Sequence, residues 1–148
     1  MRRFILLFAC MLIGMVASAQ QITQKYNSLL DRTEFFNSSG VMVGYCKKNT
    51  LLERMEYFDA YGNLIKTEKY NSLLDRNETS DQYGNQRSTR KQNELLDRED
   101  IKDEYGNLIG YKKWNSLLDR YEVFNSYGTM IGYYSYNTLL DQWEYHTN

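Results

Sequence analysis

One histidine, His146, stands two residues from the end of this 148-residue chain. Alone and terminal, it builds neither a dyad with a nearby nucleophile nor a multi-histidine metal site, and its expected state is an exposed side chain. Cysteine is almost as scarce. Of Cys10 and Cys46, the first lies in the apolar N-terminal segment, so no intramolecular disulfide framework is available. Cys46 reads as a partly buried thiol, with intermolecular pairing as the lesser alternative. No nucleophile, base and orienting group recur together, which reads as a non-enzymatic protein with no cofactor and no metal. Any long apolar run is also missing, since the one at the N-terminus falls short of the about 20 residues of a membrane span.

That N-terminal run has the form of an export signal. Arg2 and Arg3 precede an apolar stretch from Phe4 to Val16, and Ala17-Ser18-Ala19 is a small-x-small cleavage site. Residues 1–19 are therefore expected to be a signal peptide. Residues 20–148 form a single repeat domain that is periplasmic, cell-surface or secreted. A lipoprotein reading through Leu7-Phe8-Ala9-Cys10 is disfavoured by the bulk of Phe8. Cleavage leaves 16 basic and 19 acidic residues, a formal charge of about −3 that is no footprint for nucleic acid or an anionic membrane. Membrane contact is expected only through a retained signal segment.

What the chain does have is a period. Asn27, Asn49, Asn71, Asn93, Asn115 and Asn137 are spaced 22 residues apart, and Gly40, Gly62, Gly84, Gly106 and Gly128 keep the same step. A period of this length means an array of one supersecondary unit. About five and a half copies fit. Each has two related halves, Tyr-Asn-Ser-Leu-Leu and Tyr-Gly-Asn-Leu-Ile, and each half is a turn signal followed by seven or eight strand-like residues.

Gly62-Asn63, Gly84-Asn85 and Gly106-Asn107 suit hairpin turns that need φ > 0. Asn-Ser at the other junction can close an Asx-turn. Arg-x-Glu recurs as Arg32/Glu34, Arg54/Glu56, Arg76/Glu78, Arg98/Asp100 and Arg120/Glu122, with Gln142/Glu144 in the last copy. Residues two apart share a face on a strand, so these can form a ladder of opposite charge. The expected fold is all-β, with tandem 22-residue β-hairpin repeats making one long coiled antiparallel sheet. Eleven strands at about 4.8 Å would span roughly 50 Å and coil by about 20° per strand. The alternative is a short strand-plus-helix repeat solenoid. Ser28-Leu29-Leu30-Asp31 fits a capping box, but the apolar positions hold no 3.6 period.

Two details refine this expectation. Gly44, Gly110 and Gly132 fall inside the second strand of the unit, where a bend or the close approach of an aromatic ring is expected. The third unit carries Thr79, Ser80, Gln86, Arg87 and Ser88 where other copies are apolar. A closed core is expected to reject these side chains, whereas an open sheet tolerates them.

The stretch Tyr57-Phe58-Asp59-Ala60-Tyr61-Gly62-Asn63-Leu64-Ile65 resembles the tyrosine-aspartate (YD) repeats of RHS-type proteins, which run Tyr-Asp-x-x-Gly-x-Leu. Asp103 to Ile109 and Asn125 to Gly128 repeat it. The alternation of Gly-turn and aromatic strand is also similar to MORN-type repeats, including those of bacterial antitoxin or immunity proteins. The resemblance covers Gln21 to Asn148 and implies β-hairpins laid side by side, with a role in encapsulation, surface display or protein binding.

Repeated acidic residues from Asp31 and Glu53 to Asp141 are expected about 10 Å apart, too far to share a calcium ion, and read as a solvated or Arg-paired face. The aromatics are the candidate binding residues. Tyr26, Tyr70, Trp114 and Tyr136 form one column, with Trp143 beside it. Tyr61, Tyr83, Tyr105 and Tyr127 form a second, and Tyr45, Tyr111 and Tyr133 a third. Most such rings pair across strands, but an exposed column is a platform for glycan or peptide. The function expected is that of an exported protein presenting a β-surface to a protein or glycan. The alternatives are a structural element that self-assembles edge to edge and a MORN-like antitoxin or immunity module.

Overall fold

A computed structural model describes residues 21–148, and the expected signal segment lies outside them. Twelve strands follow in chain order: β1 (Ile22–Asn27), β2 (Arg32–Phe36), β3 (Met42–Asn49), β4 (Arg54–Asp59), β5 (Leu64–Asn71), β6 (Arg76–Asp81), β7 (Gln86–Asn93), β8 (Arg98–Asp103), β9 (Leu108–Asn115), β10 (Arg120–Asn125), β11 (Met130–Asn137) and β12 (Gln142–Thr147). Each pairs antiparallel with its sequence neighbours, and β12 returns to β1. The sheet is thus a closed up-and-down barrel, which corrects the open coiled sheet expected from the sequence. Twist accumulates until the two outer strands meet, and pairing them satisfies backbone groups that an open edge leaves to solvent. The seam is narrow. β1 and β12 share the pairs Ile22↔Tyr145 and Thr23↔Glu144, whereas β11 and β12 share six.

Two kinds of turn alternate along the barrel. At the glycine turns, exemplified by Asp59–Asn63, the Gly62 N–H donates to the Asp59 carbonyl at 3.2 Å and the Asp59 N–H to the Asn63 carbonyl at 3.0 Å. Asp59 Oδ1 accepts from the N–H groups of Tyr61 and Asn63 at 2.9 and 2.8 Å. Gly62 has φ +91 and Asn63 is not left-handed. The loop is therefore a five-residue turn closed by a left-handed glycine, rather than a two-residue turn centred on Gly-Asn. At the asparagine turns the left-handed residue is acidic: Asp31, Glu53, Asp75, Asp97, Asp119 and Asp141 have φ between 46 and 52. That conformation stops a right-handed turn from propagating, and no helix forms among the described residues. The strand-plus-helix alternative falls with it.

Register places Phe35, Cys46, Tyr57, Ile101, Val123 and Tyr134 on one face, and all six are buried. This face lines the lumen. A Cβ on Gly44 or Gly110 would stand 2.6 Å from the carbonyl oxygen of Phe58 or Phe124 on the next strand, and one on Gly132 would meet the Tyr145 ring. The close approach expected at these glycines is thus made by a backbone carbonyl in all three cases, His146 supplying it at Gly132, where the aromatic ring adds to it. On the outer face Tyr45, Tyr111 and Tyr133 stack on Phe58, Phe124 and His146 at 4.8–4.9 Å. Arg32, Arg98 and Arg120 cover the same three tyrosines at 4.1–4.2 Å.

Twelve strands enclose more room than their side chains fill. One lumenal cavity of about 130 Å³ is lined by Ile22, Phe35, Val43, Tyr57, Tyr134 and Tyr145 among others. A second, of about 300 Å³, has a mixed lining in which Thr79, Ser80, Arg87 and Ser88 stand beside Ile65, Ile101 and Ile109. The third unit's polar residues are therefore accommodated inside a closed barrel, contrary to expectation. Thr79 and Ser88 pair across β6 and β7 on the lumenal face, where they border open space instead of a packed apolar layer.

Candidate functional site

Antiparallel closure sends all six asparagine turns to one end of the barrel and all five glycine turns to the other. Consider the asparagine end first, beginning with the residue that defines the period. Asn115 Oδ1 accepts the N–H groups of Leu117 and Leu118, both at 3.1 Å. Its Nδ2 donates to Glu122 at 3.0 Å. Arg120 donates to the same carboxylate oxygen through Nε at 3.0 Å and Nη2 at 2.7 Å. Asn27, Asn49, Asn71, Asn93 and Asn137 repeat the bond to the acid seven residues on. The Arg-x-Glu pair is thus an ion pair within one strand, knotted to the preceding turn by asparagine. At Glu56 the hydrogen bond from Arg54 outweighs desolvation, and with the bond from Asn49 it holds the carboxyl below its usual range.

Such a turn leaves its leucines outside. Leu29, Leu51, Leu73, Leu95, Leu117 and Leu139 are 89–94% exposed, and the leucine after each is about half exposed. Like turns are two strands apart, so the tips stand about 10 Å from one another around the rim. Beside each pair lies the left-handed acidic residue, and Tyr26 and Tyr70 donate to Asp31 and Asp75 at 2.5 and 2.6 Å. Tyr136 donates likewise to Asp141. The neighbouring carboxylates push the phenols of Tyr70 and Tyr136 above the usual tyrosine range.

Within this ring of turns lies the first aromatic column. Tyr26, Tyr70, Trp114 and Tyr136 occupy the lumenal face just before their asparagines, at the mouth of the barrel. They remain between 38% and 58% exposed. Trp143 packs edge-on against Tyr136 at 5.3 Å and tilted against Tyr121 at 6.1 Å, so it supports the mouth from inside. The second column, Tyr61, Tyr83, Tyr105 and Tyr127, caps the glycine turns at the opposite end and is at least 80% exposed. The sequence-predicted aromatics are therefore divided between two ends and an outer face.

The twelve turn leucines were missed as surface residues, because an apolar pair reads as core by default. The Asx-turn signal at Asn27 and its equivalents was the available clue, since it set both leucines in a turn. Cys46 lies buried between Phe35 and Tyr57, out of reach of an intermolecular disulfide. The repeated acids serve as turn residues, and among the described residues no three His, Cys, Asp or Glu side chains converge on one point.

No protein-family model matches the chain, and no curated protein matches it either. Among solved structures, the X-ray structure of an Arabidopsis thaliana protein superimposes with a TM-score of 0.64 at 11% identity, over 87% of this chain and 80% of that one. At this identity the likeness is one of fold alone.

Proposed function

We propose that this is an exported, non-enzymatic barrel that binds another protein across its leucine-tipped end. The observation carrying the reading is that fold closure gathers six solvent-exposed leucine tips around an aromatic-lined mouth. Monomeric soluble proteins seldom leave so much apolar surface at one place without a partner for it. The asparagine bonds hold each tip in one conformation before binding, which lowers the ordering cost of association. Tandem-hairpin likeness to RHS/YD-type and MORN-type repeats agrees with a binding role by analogy alone, and an immunity or antitoxin module is its narrower form.

The test is affinity capture from the exported fraction, using the native chain and a variant with all six tip leucines changed to serine. A defined protein retained by the native chain and lost by an equally folded variant is the expected result. Capture that survives the six substitutions, or retention on glycan or anionic vesicles with no protein captured, would overturn the reading. A second reading is head-to-tail assembly, since the opposite end carries its own ring of exposed tyrosines and unlike ends stack into open filaments. Barrel closure removes the unpaired outer strands through which edge-to-edge stacking was expected. Sedimentation that stays monomeric at high concentration would eliminate the filament.

A further inference from the structure

Aromatic rings from distant parts of the chain meet in the smaller cavity. Phe35 and Tyr57 line it as a stacked pair 6.4 Å apart, and Tyr134 and Tyr145 as a tilted pair 4.6 Å apart. Val43 and Ile65, the extra residues of the bulges on β3 and β5, complete the apolar wall. In the third unit the equivalent bulge residue is Arg87, so the wall turns polar there. Gly44 also lines the cavity. A Cβ at that position would stand 2.6 Å from the Phe58 carbonyl oxygen, so no larger residue can fill the space from there. Ile22 and Tyr145, both in the lining, are one of the two pairs that close the barrel. The cavity therefore straddles the seam, walled by β11 and β12 on one side and by β1 to β5 on the other.

No lysine or arginine lines it, and Lys66, 4.4 Å from the centre of the Tyr57 ring, is paired with Glu68. Asp59 is the one charged residue of the lining, and the glycine turn takes up its carboxylate. Oδ1 accepts from the N–H groups of Tyr61 and Asn63, and Oδ2 from Asn63 Nδ2 at 2.8 Å. A charged guest would lose hydration without gaining a counter-ion. Gln24, opposite Phe35 on the lumenal face, supplies one neutral amide that both donates and accepts. The volume of about 130 Å³ sets the size, since an apolar cavity of about 150 Å³ takes up benzene.

We infer that the barrel interior binds one neutral, single-ring aromatic molecule bearing a hydroxyl group. Its ring lies between the Phe35/Tyr57 and Tyr134/Tyr145 pairs, and its hydroxyl lies on the Gln24 amide. Such a guest touches both sides of the seam, so it holds the barrel closed, and binding to the closed form alone stabilises it. The cavity lies towards the glycine turns, away from the leucine rim, so either proposal can fail without the other.

Isothermal titration of the full chain with p-cresol, toluene, benzoate and benzylammonium tests it. The cresol is expected to saturate one site about 2- to 10-fold more tightly than toluene, the worth of one hydrogen bond. It should bind at least about 10-fold more tightly than either ion. Gln24→Leu should bring the cresol down to the affinity of toluene, and Val43→Phe, which fills the cavity, should abolish binding of both. Hydrogen exchange at Ile22, Thr23, Glu144 and Tyr145 should slow once p-cresol is bound. No saturable cresol binding, an ion bound as tightly, affinity indifferent to either substitution, or seam amides that exchange as before would each overturn the inference. Should Val43→Phe fail to fold, the four-ligand comparison and the exchange rates in the native chain decide.

Discussion

Replacing Asn115 by alanine tests the physical origin of the 22-residue period. The side chain makes three hydrogen bonds, to the N–H groups of Leu117 and Leu118 and to the Glu122 carboxylate. A net hydrogen bond is worth about 0.5–1.5 kcal/mol, and more to a charged group. The two turn amides are exposed and regain water when Asn115 is cut back, so they count at the low end, about 0.5 kcal/mol each. The bond to half-buried Glu122 is charge-assisted and counts for about 1–1.5 kcal/mol. Asn115→Ala should therefore cost about 2 kcal/mol, which for a domain of this size lowers Tm by about 8 °C. Thermal melts followed by far-ultraviolet dichroism measure it. Asn115→Asp separates the two roles: it keeps the acceptor for the turn but sets a second carboxylate against Glu122. It should be destabilised at pH 7 and should recover part of the loss once the pair binds a proton. An alanine variant within 0.5 kcal/mol of the native chain, or an aspartate variant equal to it at pH 7, would refute the account.

Three further expectations follow from the turns and the close strand contacts. Glu53 holds φ 50 where the other turns use aspartate, so Glu53→Gly should stabilise by about 1 kcal/mol in urea denaturation; a loss would mean that its side chain is needed. Gly110→Ala should destabilise by about 1–3 kcal/mol because its Cβ would stand 2.6 Å from the Phe124 carbonyl oxygen, whereas Gly106→Ala has room and meets only the strain of φ +87; equal and negligible losses would remove the steric argument. Acid should weaken the barrel through its glycine turns. Desolvation opposes ionisation of Asp81, but hydrogen bonds from Asn85, Arg87 and the Tyr83 N–H prevail and bring its carboxyl to about 2, from 3.8. Asp59 and Asp103 are lowered too, first by the side chains of Asn63 and Asn107. Between these values the folded chain binds fewer protons than the unfolded one, so this stability is present above about pH 4 and is lost as pH falls towards 2. A thermal midpoint that is flat across that window, or as steep in Asp81→Asn, would count against it.

How far the site could be read in advance depended on how local each cause is. Asn27 and its equivalents announced a turn because a short amide side chain caps its own backbone, and the bonds to Leu29 and Leu30 are there. Arg32 and Glu34 announced a strand because only an extended chain sets them on one face, and they pair at 2.6 Å. The left-handed role of Asp31 stayed hidden, since an acid beside an arginine reads as half of an ion pair. The third unit misled for a different reason: Thr79 and Ser88 oppose a closed core only if the core is full.

The sequence by itself determined the repeat, the strands, both kinds of turn and the charge pairing, because each follows from contacts among residues a few positions apart. Tertiary structure alone decided that the sheet closes, since closure depends on twist summed over twelve strands until Ile22 meets Tyr145. The same closure turned leucine pairs scattered along the chain into a single rim. It also brought Lys66, Glu68, Arg90, Glu99 and Lys112, which no short-range pattern connects, into one line of alternating charge inside the barrel.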